Sequence, residues 1–241
     1  MTTPLFSLLH ATRGRPQKAV AAYKMWHERA FFNMRGQIEH IFSTDFDDET
    51  GSVLYDEMLA AFPDGNWHIT ANANKGSAEA WNNAYKASKG TILVQVSDDM
   101  EPPEKWDEKI ASEVAMAPKV APVVVAISDG HRKDKLMTTF ICTRSYAEME
   151  GEFIHPGYAS VWSDDDATYR AWRDAQEGRA VLIDARHIVI NHRHHYHDSK
   201  VPWDATYERQ NAPKNYEQGE RLFIQRNPEA LKTMKEWKGI Q

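Results

Sequence analysis

The chain has 241 residues, 41% hydrophobic and 27% charged, with a formal net charge of −6. This composition can bury one substantial core, or at most two small ones, and excludes wholesale disorder. The acidic balance argues against a broad basic face for nucleic acid, and the single cysteine, Cys142, excludes an intrachain disulfide.

Leu5–Leu9 reads as the first buried strand, and Thr12, Arg13 and Arg15 follow it in a short loop. The two guanidinium groups suit paired hydrogen bonds to phosphate, or are simply solvated. Ile38–Phe42 is the second strand candidate, running toward Asp45, Asp47 and Asp48, and Trp67–Thr70 is the third. A turn rich in Asn and Gly, Asn72–Ser77, precedes a helix that Ser77 is expected to cap. That helix carries Ala78, Trp81, Ala84, Tyr85 and Ser88 at helical spacing and ends at Gly90. Ile92–Val96 is the fourth strand, and Pro103 suits the first turn of a helix with Trp106 and Ile110 on one face. Val120–Ile127, Met137–Cys142 and Val181–Ile190 complete the strand candidates. Strand and helix alternate through the first half, which predicts a parallel sheet covered on both faces, followed by a mixed second half. No apolar run approaches the roughly 20 residues that span a bilayer, and Met1–Pro4 lacks the charged start of a signal peptide. A cytoplasmic protein is expected.

The fourth strand runs directly into Asp98 and Asp99. Ligands of open α/β sheets bind beyond the carboxyl ends of the strands, so these acids stand where chemistry usually happens. Bare carboxylates repel a diphosphate, but they serve it if they hold Mg2+ or Mn2+. The alternative is that one of them caps a helix beginning near Pro102. A second cluster, Asp164–Asp166, precedes a helix containing Tyr169, Trp172 and Arg173. A carboxylate here could take a proton from an attacking group, or cap that helix. Four histidines crowd into His192–His197. On an extended segment His192 and His194 would face one side, suiting a metal; a surface segment without a ligand is the other reading.

Val96–Pro103 resembles the metal-binding segment of family 2 glycosyltransferases, with Ser97 in place of the first acid of an Asp-x-Asp motif. Ser7–Pro16 resembles that family's first strand and nucleotide loop, and Gly157–Thr168 its acidic acceptor-side motif. His192–His194 resembles the late histidine of many enzymes of the GT-A fold. The resemblance implies a Rossmann-like GT-A domain spanning residues 1–241. Residues 1–100 would form the nucleotide-sugar half, 101–200 the acceptor half and 201–241 a helical tail. It implies metal-dependent transfer from a nucleotide-sugar such as a UDP-sugar, with inversion if an acid serves as base. Thr12, Arg13, Arg15, Asp45, Asn74, Lys75 and Asp98 would hold the donor. Asp99 with His192 or His194 would hold Mn2+ or Mg2+, and Asp165, or Asp164 one register earlier, would be the base. A saccharide, a protein side chain and a modified DNA base all stay open as acceptor. Two other functions fit the residues less well: nucleotidyl transfer on a similar fold, and a non-catalytic zinc or nucleic-acid module using the histidines and His131–Lys135.

Overall fold

The computed structural model describes residues 3–32, 36–73, 76–119 and 121–240. Strands β1 (Phe6–Ala11), β2 (Ile38–Asp45), β3 (Trp67–Asn72) and β4 (Ile92–Val96) alternate with helices α1 (Pro16–Glu28), α2 (Gly51–Ala61) and α3 (Ser77–Ala87). There follow β5 (Met100–Glu101), α4 (Trp106–Met116), β6 (Val123–Ser128), β7 (Ile141–Thr143), α5 (Arg144–Glu150), α6 (Ser163–Gln176), β8 (Val181–Val189) and β9 (Asn191–His192). The chain ends in α7 (Ala205–Gln210), α8 (Pro213–Arg226) and α9 (Met234–Lys238).

Seven strands form one sheet in the order β3-β2-β1-β4-β7-β6-β8. The first four are parallel, β7 runs antiparallel to both its neighbours, and β6 pairs in parallel with β8. Side-chain alternation divides the core between the two faces. Phe6, Leu8, Ile92, Val94 and Val96 pack with Trp26 of α1 and Trp106 and Ile110 of α4. Leu9, Leu93, Val124 and Cys142 face the other way, toward Trp81, Tyr146, Tyr169, Phe223 and Trp237. Strand order reverses at β1 and β4, and the crevice beyond their carboxyl ends is the place such sheets offer a ligand. Among the described residues no helix is long and apolar enough to cross a membrane.

Three local expectations need correction. Met137–Phe140 is not strand: the Met137 amide donates to Thr168 Oγ1 (3.0 Å) and the Phe140 amide to Gln95 Oε1 (2.8 Å), so side chains take these amides while the Phe140 carbonyl still accepts the Gln95 amide (2.9 Å). Helix α4 starts at Trp106, after Lys105 in a left-handed conformation (φ 54°), which leaves Pro103 outside it. Ser77 is the first helical residue of α3 and makes no side-chain cap; Gly76 precedes it. Val120, Asn74 and Lys75 lie outside the described residues.

Gly76 is required rather than convenient. Its φ is +116°, and a Cβ there would stand 1.9 Å from the Ala159 carbonyl oxygen, where the Ser77 amide also docks (2.8 Å). Gly76→Ala is therefore expected to cost about 3 kcal/mol of stability, from backbone strain and the clash together. Denaturant unfolding measures this; a loss below about 0.5 kcal/mol would contradict it.

Candidate functional site

A cleft of about 860 Å³ opens over the carboxyl ends of β1 and β4. Thr12, Arg13, Arg15 and Asp45 line one end, Asp98, Asp99, His192 and His194 the middle, and Trp162, Asp164 and Asp165 the other end. Sequence positions more than 150 residues apart thus share one cavity.

At the first end, Arg13 Nη1 donates to Asp45 Oδ2 (2.8 Å) and also pairs with Asp47. Arg209, from α7, donates to the same Asp45 oxygen (3.0 Å). Arg15 grips Asp204 through Nε and Nη2 (2.9 and 2.5 Å), lies 4.0 Å from Asp98 and stacks its guanidinium 4.2 Å over the Tyr207 ring. Asp204 caps α7 through the amides of Thr206 and Tyr207. The segment after Trp203 is therefore tied across this end of the cleft, a role for Arg209 that its position in the sequence does not signal.

Trp81 donates its indole N–H to the Val96 carbonyl (3.0 Å), fixing the end of β4 from below. Just beyond, Asp98 accepts from His10 Nε2 (3.0 Å), and His10 Nδ1 meets His40 Nε2 at 2.9 Å. Both imidazoles are completely buried. Burial, with the nearby histidines, pushes the His40 pKa well below its ordinary value. A neutral His40 that donates from Nε2 makes His10 donate to the carboxylate, so the chain His40–His10–Asp98 orients Asp98 from inside the sheet. Asp99 faces the cleft. Its carboxylate accepts from Ser97 Oγ (2.7 Å) and Tyr207 Oη (2.8 Å), and its Oδ1 lies 3.4 Å from His192 Nε2. Burial alone would raise the Asp99 pKa, but His192, Ser97 and Tyr207 together hold it well below the usual carboxylate range. His192 is brought there by the short β5–β9 ladder, which sets it opposite Met100.

The chain does not stay extended after β9: the His194 amide donates back to the His192 carbonyl (2.9 Å), so strand alternation does not relate the two rings. The rings nevertheless stand 5.4 Å apart, with His194 against Tyr207. Burial, then the charge of His192, lowers the His194 pKa to about 4, so it is neutral at pH 7. Among the described residues no group of three His, Cys, Asp or Glu side chains could hold a metal ion. The facing carboxylate and imidazole of Asp99 and His192 make a two-ligand donor set. It fits a divalent cation that completes its shell with diphosphate oxygens.

At the far end, Asp164–Asp166 form the first turn of α6 instead of preceding it. The three acids have different surroundings. Asp166 is buried in a structural network with Tyr158 Oη (3.1 Å), Arg226 Nε (3.1 Å), Asn227 Nδ2 (2.8 Å) and Arg170 Nε (3.2 Å). Asp165 is ion-paired with Lys238 of α9. Asp164 accepts from the Asp165 amide (3.1 Å), and burial, then the Asp165 charge, pushes its pKa up to about 7. Trp162, the residue before α6, is held at φ 71°, a costly conformation for a bulky side chain. Gly219 of α8 lets that turn approach closely, since a Cβ there would meet the Val161 carbonyl at 2.8 Å.

The family model for glycosyl transferase family 2 matches residues 29–163, more than half of the chain. The chain belongs to glycosyltransferase family 2. No curated protein sequence matches it. Among solved structures, the mannosyltransferase PcManGT of Pyrobaculum calidifontis, in complex with GDP-Man and Mn2+, aligns over 95% of this chain and 76% of its own. The TM-score is 0.61 and the identity 12%. S. aureus TarS 1–349 in complex with UDP-GlcNAc aligns over 90% of this chain and 65% of its own, at TM-score 0.60 and 13% identity. Glucosyl-3-phosphoglycerate synthase from Mycobacterium tuberculosis, in complex with Mg2+ and UDP, aligns over 79% of this chain and 72% of its own. Its TM-score is 0.53 and its identity 9%. Likeness at these identities establishes the GT-A fold of this family 2 glycosyltransferase.

Proposed function

We propose that the protein transfers a sugar, with inversion, from a nucleotide-sugar held with Mn2+ or Mg2+ to an acceptor hydroxyl or amine. The observation that carries this reading is the single cleft joining Asp98 and Asp99, at the end of β4, to Asp164 and Asp165, at the start of α6. Solved relatives of the fold hold GDP-Man with Mn2+, or UDP with Mg2+. A UDP-sugar is the donor favoured here, on the UDP and UDP-GlcNAc complexes of the structural neighbours.

In this reading Thr12, Arg13, Arg15 and Asp45 receive the nucleotide, and Asp98, fixed by His10, receives the ribose or the metal. Asn74 and Lys75, which lie outside the described residues, remain donor candidates from the family pattern. Asp99 and His192 hold the cation, with His194 beside them. The bound cation would offset charge on the diphosphate as it departs. Asp164 takes the acceptor's proton while the acceptor atom bonds to the anomeric carbon. The bond from that carbon to the diphosphate oxygen breaks, and its electron pair leaves with the nucleoside diphosphate. Asp164 is preferred to Asp165 because Asp165 is occupied by Lys238, whereas a carboxyl near pKa 7 is matched to proton transfer at neutral pH.

The test is a calorimetric panel of UDP, GDP, CDP and ADP, each with Mn2+ and with a chelator. UDP is expected to bind only with Mn2+, at least about tenfold more tightly than the others, which requires about 1.4 kcal/mol of discrimination. Equal binding of all four, or binding indifferent to metal, would count against the donor reading.

A further inference from the structure

Lys238 is the residue of this cleft that comes from farthest along the chain. Its ammonium group pairs with Asp165 from the last turn of α9, and only 13% of its side chain and 12% of that of Asp165 are exposed. It lies 5.0 Å from the ring centre of Trp237 and 6.0 Å from that of Trp162. Helix α9 is held firmly enough to deliver it. Trp237 is 1% exposed and donates its indole N–H to the Ala230 carbonyl (2.8 Å), and the Lys238 carbonyl accepts from the Lys135 amide (2.8 Å). An ion pair so far out of water gains little net stability, because desolvation offsets most of the attraction. Its position beside the acids of the cleft is therefore the feature to explain.

The three acids of α6 are divided by their partners. Asp166 is consumed by the Tyr158, Arg170, Arg226 and Asn227 network, and Asp165 by Lys238. Asp164 lines the cleft and accepts from the Asp165 amide. We propose that Lys238 is a positioning residue for the base: by fixing Asp165 as its ion-pair partner, it leaves Asp164 as the carboxylate free to accept the acceptor's proton. This rests on the base reading given above. The charged and titratable groups electrostatically linked to Asp164 are Asp165 on its own helix, Arg132 on the loop after β6, His192 on β9 and Tyr216 on α8. Of these, Asp165 adds the negative charge that favours a proton on Asp164, and Arg132 opposes it. Lys238 moderates the pair by placing a positive charge on Asp165. Its removal leaves the two carboxylates one positive charge poorer, so Asp164 should hold its proton to higher pH.

The experiment is a carboxyl carbon NMR titration of the full chain with labelled aspartate, assigned with Asp164→Asn and Asp165→Asn. Lys238→Met is expected to move the Asp164 titration upward by about one pH unit. Lys238→Arg should leave it near the parent value, and Asp165→Asn should move it downward. Lys238→Gln repeats the charge removal should the methionine variant not fold. An Asp164 titration unchanged in the folded Met or Gln variant overturns the proposal, as does an arginine variant that shifts as far as methionine. The base reading fails separately: it falls if Asp164→Asn transfers sugar at the parent rate, whatever the titration shows.

Discussion

Asp164→Asn is expected to bind nucleoside diphosphate with Mn2+ like the parent while its turnover falls about 100- to 10,000-fold, the usual cost of losing a general base. Asparagine keeps the shape of the side chain and the turn of α6, and removes only the group that can accept a proton. Asp164 hydrogen-bonds within its own helix turn, whereas Asp99 bonds to Ser97 and Tyr207 and meets His192, so donor affinity should depend on Asp164 only weakly. Nucleotide calorimetry and single-turnover sugar transfer separate the two effects. Asp165→Asn is the register control and should lose less, since it acts on Asp164 through its charge. Asp166→Asn should instead lower stability, because Tyr158, Arg170, Arg226 and Asn227 converge on that carboxylate. Normal turnover in both Asp164→Asn and Asp165→Asn would make the acidic turn a helix start with no role in proton transfer. A deficit confined to donor binding would move it to the metal site.

Asp99→Ala is expected to lose metal-dependent nucleotide binding, and at least about 100-fold of turnover, because it deletes the carboxylate that would hold the cation against the diphosphate. The substitution also strips Ser97, Tyr207 and His192 of a shared partner, so Asp99→Asn accompanies it as the variant that preserves hydrogen bonding. Both should respond weakly to added Mn2+, and the parent should lose activity in a chelator and recover it with Mn2+ or Mg2+. Parent-like turnover by metal-free protein would refute the assignment.

Much of this arrangement is written in local pattern. The run Ile92–Val96 is apolar enough to be a central strand on any reading, and its length matches the structure. The alternation of strand and helix through β4 follows from periodicity, and a parallel sheet follows from the alternation. Boundaries were less legible where tertiary partners decide them. The Gln95 side chain accepts the Phe140 amide while the Gln95 amide donates to the Phe140 carbonyl, a pairing before β7 that no window of neighbouring residues contains. The start of α4 depended on a left-handed Lys105, which β-branching, charge and proline spacing do not announce.

The division is clearest in the cleft. The sequence by itself determined that acids follow a buried strand at Asp98–Asp99, that a second acidic run stands at Asp164–Asp166, and that histidines come late. Composition and spacing of this kind are local properties, carried by residues a few positions apart. Only the tertiary structure decided how the three aspartates differ, because each meets a different long-range partner: a buried guanidinium network, the ammonium of Lys238, or the open cleft. The same holds for His10, turned by His40 toward Asp98 across three parallel strands, and for Arg209, which reaches Asp45 from 164 residues away. Burial and charge act through space, so the identity of an ionisable residue is local while its protonation and its role are set by the fold.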